Sequence, residues 1–181
     1  MNIELLPNEI FMNVFRYLST ADLFGAFDGL NSRYCLLLRE HYRKSGLDFE
    51  GISRSNFENI CKRYLPQLVD QIPSIRLNNE ETTPGQIDQF YRHGFRLDQF
   101  IYLKCLSVNH LRSEELSCKL MFEIHKLPNL MNLTYKPFYL SLIFPGGQYL
   151  LNCIWELKKL QHCCLAFQSN NFQYFPLPTI I

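Results

Sequence analysis

The chain has 181 residues, 47% of them hydrophobic and 19% charged, which is close to the globular average and excludes an intrinsically disordered protein. Its net charge is +1, with 5 basic and 7 acidic side chains in the first 50 residues and 13 and 10 in the rest, so neither part has the basic excess of a nucleic-acid footprint. Seven scattered cysteines with no C-x-x-C pair read as small buried hydrophobes rather than a disulfide framework. Met1-Asn2-Ile3-Glu4 lacks the positive start of a signal peptide. No run approaches the ~18 apolar residues of a membrane span. A cytoplasmic or nuclear protein is expected, with neither membrane nor nucleic acid as partner.

The first predicted helix, Asn8 to Leu18, opens after Pro7, whose fixed φ and missing donor suit the first helical position. Its apolar residues Ile10, Phe11, Met12, Val14, Phe15, Tyr17 and Leu18 span about 220° at about 100° per residue. A surface helix needs only about 100° to cover its own core, and a unit of ~40 residues buries too little surface to enclose the remainder. Part of that arc therefore waits for another surface. Ser19, with Asp22 three residues on, offers the cap of a second helix that runs to about Phe27. Gly29 closes it, and Asn31 or Ser32 caps a third helix that carries Tyr34, Leu37, Leu38 and Tyr42 and stops at Gly46. Leu47 to Ser53 reads as a short connector. Ser55-Asn56-Phe57-Glu58 has capping-box spacing, and Phe57, Ile60, Cys61, Tyr64 and Leu65 share one face of a helix that Pro66 breaks.

Leu6-Pro7, Glu9-Ile10, Val14-Phe15, Tyr17-Leu18, Asp22-Leu23, Ala26-Phe27 and the closing Leu30-Asn31-Ser32-Arg33-Tyr34 resemble an F-box, the short helical domain that docks on the Skp-type adaptor of cullin-RING ubiquitin ligases. Asn31 and Tyr34 stand where many F-boxes have Cys and Trp, a departure that leaves the chemistry of burial unchanged. The resemblance covers about the first 40 positions. It implies an adaptor-facing set of Leu6, Pro7, Ile10, Phe11, Val14, Phe15, Leu18, Leu23 and Leu30, with Tyr34 and Leu37 shared between that surface and the internal core. Spacing alone leaves open which of these face outward.

From Val69 onward the pattern is periodic. Val69, Ile72, Ile75 and Leu77 recur as Phe100, Leu103, Leu106 and Val108, then Leu127, Leu130, Leu133 and Tyr135, then Leu157, Leu160, Cys163 and Leu165. Equivalent positions 75, 106, 133 and 163 are 31, 27 and 30 apart. The last two apolar residues of each set alternate as in a strand. Helical segments are predicted between the strands. One starts at Thr83-Pro84, carries Ile87, Phe90 and Tyr91, and ends near Gly94. Another starts at Ser113 with Leu116, Leu120, Met121 and Ile124 inward and His125-Lys126 at its end. A third follows Gly146-Gly147, with Leu150, Leu151, Ile154 and Trp155 at core spacing.

Repeats of this length and order resemble an irregular leucine-rich repeat array, in which one-sided units stack on their neighbours. The Asn that usually follows the strand in that family is absent, since Glu80, Leu111, Phe138 and Gln168 occupy the offset, so irregular turns are expected. The apolar ending, Phe172-Gln173-Tyr174-Phe175-Pro176-Leu177-Pro178-Thr179-Ile180-Ile181, reads as a truncated product or as an edge that packs on something. The expected fold is thus α/β: a three-helix F-box over residues 1–46, a helical connector and cap over 47–68, and about four strand-helix units of a leucine-rich repeat solenoid over 69–181.

Alternation within the strands places two polar columns on the inner, concave face, Arg76, Ser107, Thr134 and Cys164 in one and Asn78, Asn109, Lys136 and Ala166 in the other. These are the candidate target-binding residues, although a solvated face has the same composition. Nothing pairs Cys105 or Cys164 with His125 or His162 as nucleophile and base. The cluster His162-Cys163-Cys164 alternates faces and lacks zinc-ligand spacing, and no phosphate-binding glycine motif is present, so no catalytic residue, metal or cofactor is expected. The resulting expectation is a non-catalytic adaptor that joins a Skp-type protein, and through it a cullin, to a target protein of unknown identity. The rival is a stand-alone repeat protein whose first helices only cap the solenoid, in which case Ile10, Val14 and Phe15 are all buried within the chain.

Overall fold

The computed structural model describes residues 3–79, 84–137 and 152–166. Within them the protein is mixed α/β, with a helical N-terminal part running directly into a five-stranded parallel sheet. No helix among the described residues is long and apolar enough to cross a membrane.

A 3-10 turn at Ile3–Leu5 precedes α1 (Asn8–Phe15), α2 (Thr20–Phe27) and α3 (Ser32–Ser45). Helix α1 is one turn shorter than expected, because the chain turns at Arg16 toward the cap of α2, and Pro7 is its N-cap rather than its first residue. The side chain of Ser19 accepts from the Asp22 N–H and that of Asn31 from the Tyr34 N–H, so the local cap chemistry sets both following helix starts. Phe11, Phe15, Phe27 and Tyr34 form an aromatic core, with Phe11 edge-on to Tyr34 at 5.1 Å and Phe15 against Phe27 at 4.9 Å. Arg33 on α3 fastens the N-terminal segment by donating to the carbonyls of Glu4 and Leu6 and, at 2.8 Å, to Asn8 Oδ1.

Gly46 ends α3 at φ +85°, and a Cβ there would lie 2.2 Å from the Ser74 carbonyl oxygen. Only glycine fits this junction, where the chain passes from helix to sheet. The stretch expected to be a connector contains β1 (Leu47–Asp48), which pairs in parallel with β2 (Ser74–Asn78). The sheet therefore begins before Val69 and, among the described residues, has five strands, since β3 (Cys105–Leu111), β4 (Asn132–Pro137) and β5 (His162–Leu165) follow. Between β1 and β2 lies α4 (Arg54–Arg63), capped by Ser53, two residues before the expected cap. A 3-10 turn at Leu65–Gln67 accommodates Pro66. Helices α5 (Gln86–Arg92) and α6 (Glu114–Ile124) follow β2 and β3. Thr83, proposed to start α5, lies outside the described residues, and Gly85 is the N-cap.

Strand order matches chain order, β1-β2-β3-β4-β5. The registers Ile75–Leu106–Leu133–Cys163 and Leu77–Val108–Tyr135–Leu165 are those of the sequence period. Their side chains turn toward the helices, and Ile75, Leu77, Leu106, Val108, Leu133 and Tyr135 are buried. The expected irregular turns appear after β2 and along β3. The register of β3 shifts between Asn109 and Leu111, with His110 at φ 56°. Amides tie up backbone groups there: Gln86 accepts from Asn78 N–H and donates to the Phe49 carbonyl, both at 2.8 Å, and Asn79 accepts from Ile87 N–H. Trp155, expected inward, is half exposed, whereas Ile154 is buried. Glu80, Phe138, Gly146, Gly147, Leu150, Leu151, Gln168 and the apolar tail lie outside the described residues.

Bundle and sheet share one core. Tyr64 after α4 packs edge-on against Phe24 and Tyr42, and Asp28 at the end of α2 accepts from Arg63 and from the Tyr64 hydroxyl. Burial, and then the Asp28 charge, pushes the Tyr42 hydroxyl well above the usual tyrosine range.

Candidate functional site

Two surfaces stand out, and they differ in chemistry. The first lies on the outside of the bundle. Helical periodicity divides α1 into two apolar faces: Phe11 and Phe15 point into the aromatic core, and Ile10 and Val14 point away from it, each 45% exposed. Leu5 is 81% exposed and Tyr17 90%, and Ile3 and Leu30 are also open. Isolated apolar side chains on a surface are ordinary, but six drawn from α1 and the segments flanking the bundle core are a concentration.

This division corrects the adaptor-facing set. Phe11, Phe15, Leu23, Tyr34 and Leu37 are buried within the chain and form its core, because a small bundle has little apolar surface to bury and needs these side chains inside. Leu6 and Leu18 are half-buried and pack on that core. Pro7, Ile10, Val14 and Leu30 remain exposed. Ile3 and Leu5, which the expected set omitted, and Tyr17, which it left out despite its place on the apolar arc, extend the surface. The signal for Ile3 and Leu5 was their place, with Leu6, among apolar residues just outside the helix they flank.

The second surface is the sheet face turned away from the helices. A groove of about 410 Å³ runs across it, with Ser107, Asn109 and Thr134 in its floor and Glu50, Arg76 and Lys136 along it. Register aligns Asp48, Arg76, Ser107, Thr134 and Cys164 in one row across five strands. A second row runs Asn78, Asn109 and Lys136, with Ala166 continuing it past β5. Asn78 does not contribute a contact there. Its side chain is buried and its Oδ1 lies 2.9 Å from His110 Nδ1, so it holds the turn after β2 instead. A third row, Ser74, Cys105, Asn132 and His162, was not among the expected residues. Counting back two positions from Arg76 and Ser107 finds it. Asn132 Nδ2 donates to Cys105 Sγ at 3.2 Å within it.

Charge on this face is unevenly placed. Arg76 Nη1 lies 2.6 Å from Glu50 Oε2 and 3.1 Å from Asp48 Oδ2, so one cation serves two carboxylates at the β1 edge. Lys136, on β4, is exposed and has no ion pair among the described residues. Cys163 is turned inward, where burial pushes its thiol up to about 11, while His162 and Cys164 face outward. Among the described residues no three His, Cys, Asp or Glu side chains are grouped to hold a metal ion. No family model matches the chain, and no curated protein or solved structure matches it either.

Proposed function

We propose that the chain is a non-catalytic substrate-recognition subunit of a cullin-RING (SCF-type) ubiquitin ligase, its N-terminal helices an F-box and its sheet a short leucine-rich repeat array. The bundle binds a Skp-type adaptor and the open sheet face binds the target protein. The contribution to rate is proximity, since holding target and charged enzyme in one complex raises their effective concentration.

The observation that carries this reading is the exposed second apolar face of α1, Ile10 and Val14 with Leu5 and Tyr17 beside it. If the first helices only capped the repeats, Ile10 and Val14 would be enclosed together with Phe15; Phe15 is, and they are not. An adaptor interface of this kind should bury at least ~1,000 Å² and draw most of its energy from a few such anchors.

The test is capture of a Skp-type adaptor from cells of the protein's own host, with wild type and an Ile10→Asp/Val14→Asp variant compared side by side and their folding checked by circular dichroism. The expected result is adaptor recovered with wild type and lost with a variant that still folds. Failure of folded wild type to recover the adaptor, while a known F-box control succeeds, overturns the reading.

A further inference from the structure

The groove on the open sheet face carries opposite excess charge at its two ends. At the β1 edge Asp48 and Glu50 surround the single guanidinium of Arg76, which leaves one negative charge over. Three strands away Lys136 presents an ammonium with no carboxylate beside it among the described residues. Between them the floor is neutral, made of Ser107, Asn109 and Thr134, whose hydroxyls can donate and accept.

Glu50 follows Asp48 by two positions, so it lies near the β1 end of the row that continues through Asn109 to Lys136. Neighbouring strands are ~4.8 Å apart, which puts these ends about 14 Å from each other; an extended peptide advances ~3.3 Å per residue and covers that span in about four residues. We infer that the groove takes an extended, unphosphorylated peptide segment that crosses the strands and carries one basic and one acidic residue four positions apart. The basic residue meets Asp48 and Glu50, the acidic one meets Lys136, and the intervening backbone hydrogen-bonds to the neutral floor. An anionic or phosphorylated peptide fits less well, because Arg76 is already engaged by two carboxylates and a second acidic group would face them.

This inference rests on the proposal that the sheet face recognises the target, and its test separates the two. Fluorescence polarisation with the intact chain would compare labelled nine-residue peptides of serine and glutamine that carry Lys and Asp four apart, the same pair adjacent, Lys and Lys, Asp and Asp, or phosphoserine and Asp. Partly exposed charge pairs of this kind change affinity about two- to fivefold each. The Lys/Asp peptide with four-residue spacing should bind tightest, and Lys136→Glu should move the preference to the Lys/Lys peptide. Lys136 is exposed, and circular dichroism confirms that the variant folds. Tightest binding of the phosphoserine or Asp/Asp peptide, or a ranking that Lys136→Glu leaves unchanged, overturns the charge pattern while leaving target recognition by the groove in place. No binding by any peptide, with adaptor capture intact, overturns the charge pattern and target recognition by this face together.

Discussion

In the bundle the core centres on aromatic rings, Phe11, Phe15, Phe27 and Tyr34 joined by ring contacts with Leu23, Leu37 and Leu38 buried beside them, whereas in the sheet the buried side chains are mostly aliphatic and run in parallel rows. Their outer surfaces differ in the opposite sense. The bundle leaves Leu5, Ile10, Val14 and Tyr17 open to solvent, and the sheet leaves Arg76, Ser107, Thr134 and Lys136. A solvated array of hydroxyls, amides and charges can remain uncovered indefinitely. A cluster of aliphatic and aromatic side chains is held against the hydrophobic effect, at about 25 cal/mol for each Å² left in water. The difference teaches that the two parts are suited to different kinds of contact, a stable apolar one and a selective polar one.

The largest expected effect separates the two faces of α1. Phe15→Ala should cost about 3–5 kcal/mol, because it empties the aromatic core, while Val14→Ala one residue away should change stability by no more than about 0.5 kcal/mol. Urea unfolding of both variants checks this, and equal costs would dissolve the division into inner and outer faces. Next comes the junction between the two parts. Gly46→Ala should cost about 2–4 kcal/mol, since the backbone there is in a region almost reserved for glycine and the added carbon meets the Ser74 carbonyl. A thermal melt near wild type would mean that bundle and sheet are joined more loosely than the shared core implies.

The smallest effect is a pH dependence peculiar to the bundle. His41 packs edge-on against Phe15, and burial lowers its pKa from the ordinary value of 6.5. The unfolded chain then binds the proton more readily than the folded one. The contribution is complete above pH 6.5 and is lost as the pH falls below it, until the folded histidine protonates as well. Melting temperature should therefore fall with acidification in that window, and His41→Gln should flatten the slope. An unchanged slope would remove His41 from the account.

Much of the fold could be read directly from residue order. The strand registers were legible because apolar residues at three, three and two spacing repeat four times, and the caps Ser19, Asn31 and Ser113 because their chemistry is local. Strand β1 was not legible. It has two residues, and its only reason to be a strand is a partner 28 positions along the chain, which no local propensity encodes. Nor could the two faces of α1 be assigned, since Ile10 with Val14 and Phe11 with Phe15 repeat at the same spacing and only packing chooses between them. On the sheet, Arg76, Ser107, Thr134 and Cys164 and, in the second row, Asn109, Lys136 and Ala166 follow the alternation, whereas Asn78 is buried. The burial of Asn78 depends on the turn after β2 and on His110, whose left-handed backbone the strand pattern does not announce.

Strand order that follows chain order has a consequence for how the molecule is made. Each strand from β2 to β5 pairs with the one synthesised just before it, about thirty residues earlier, so that among the described strands β1 alone waits for a segment still to be translated. A growing polypeptide can therefore lay down the sheet one row at a time behind a completed N-terminal start, with β1 as the template that emerges first.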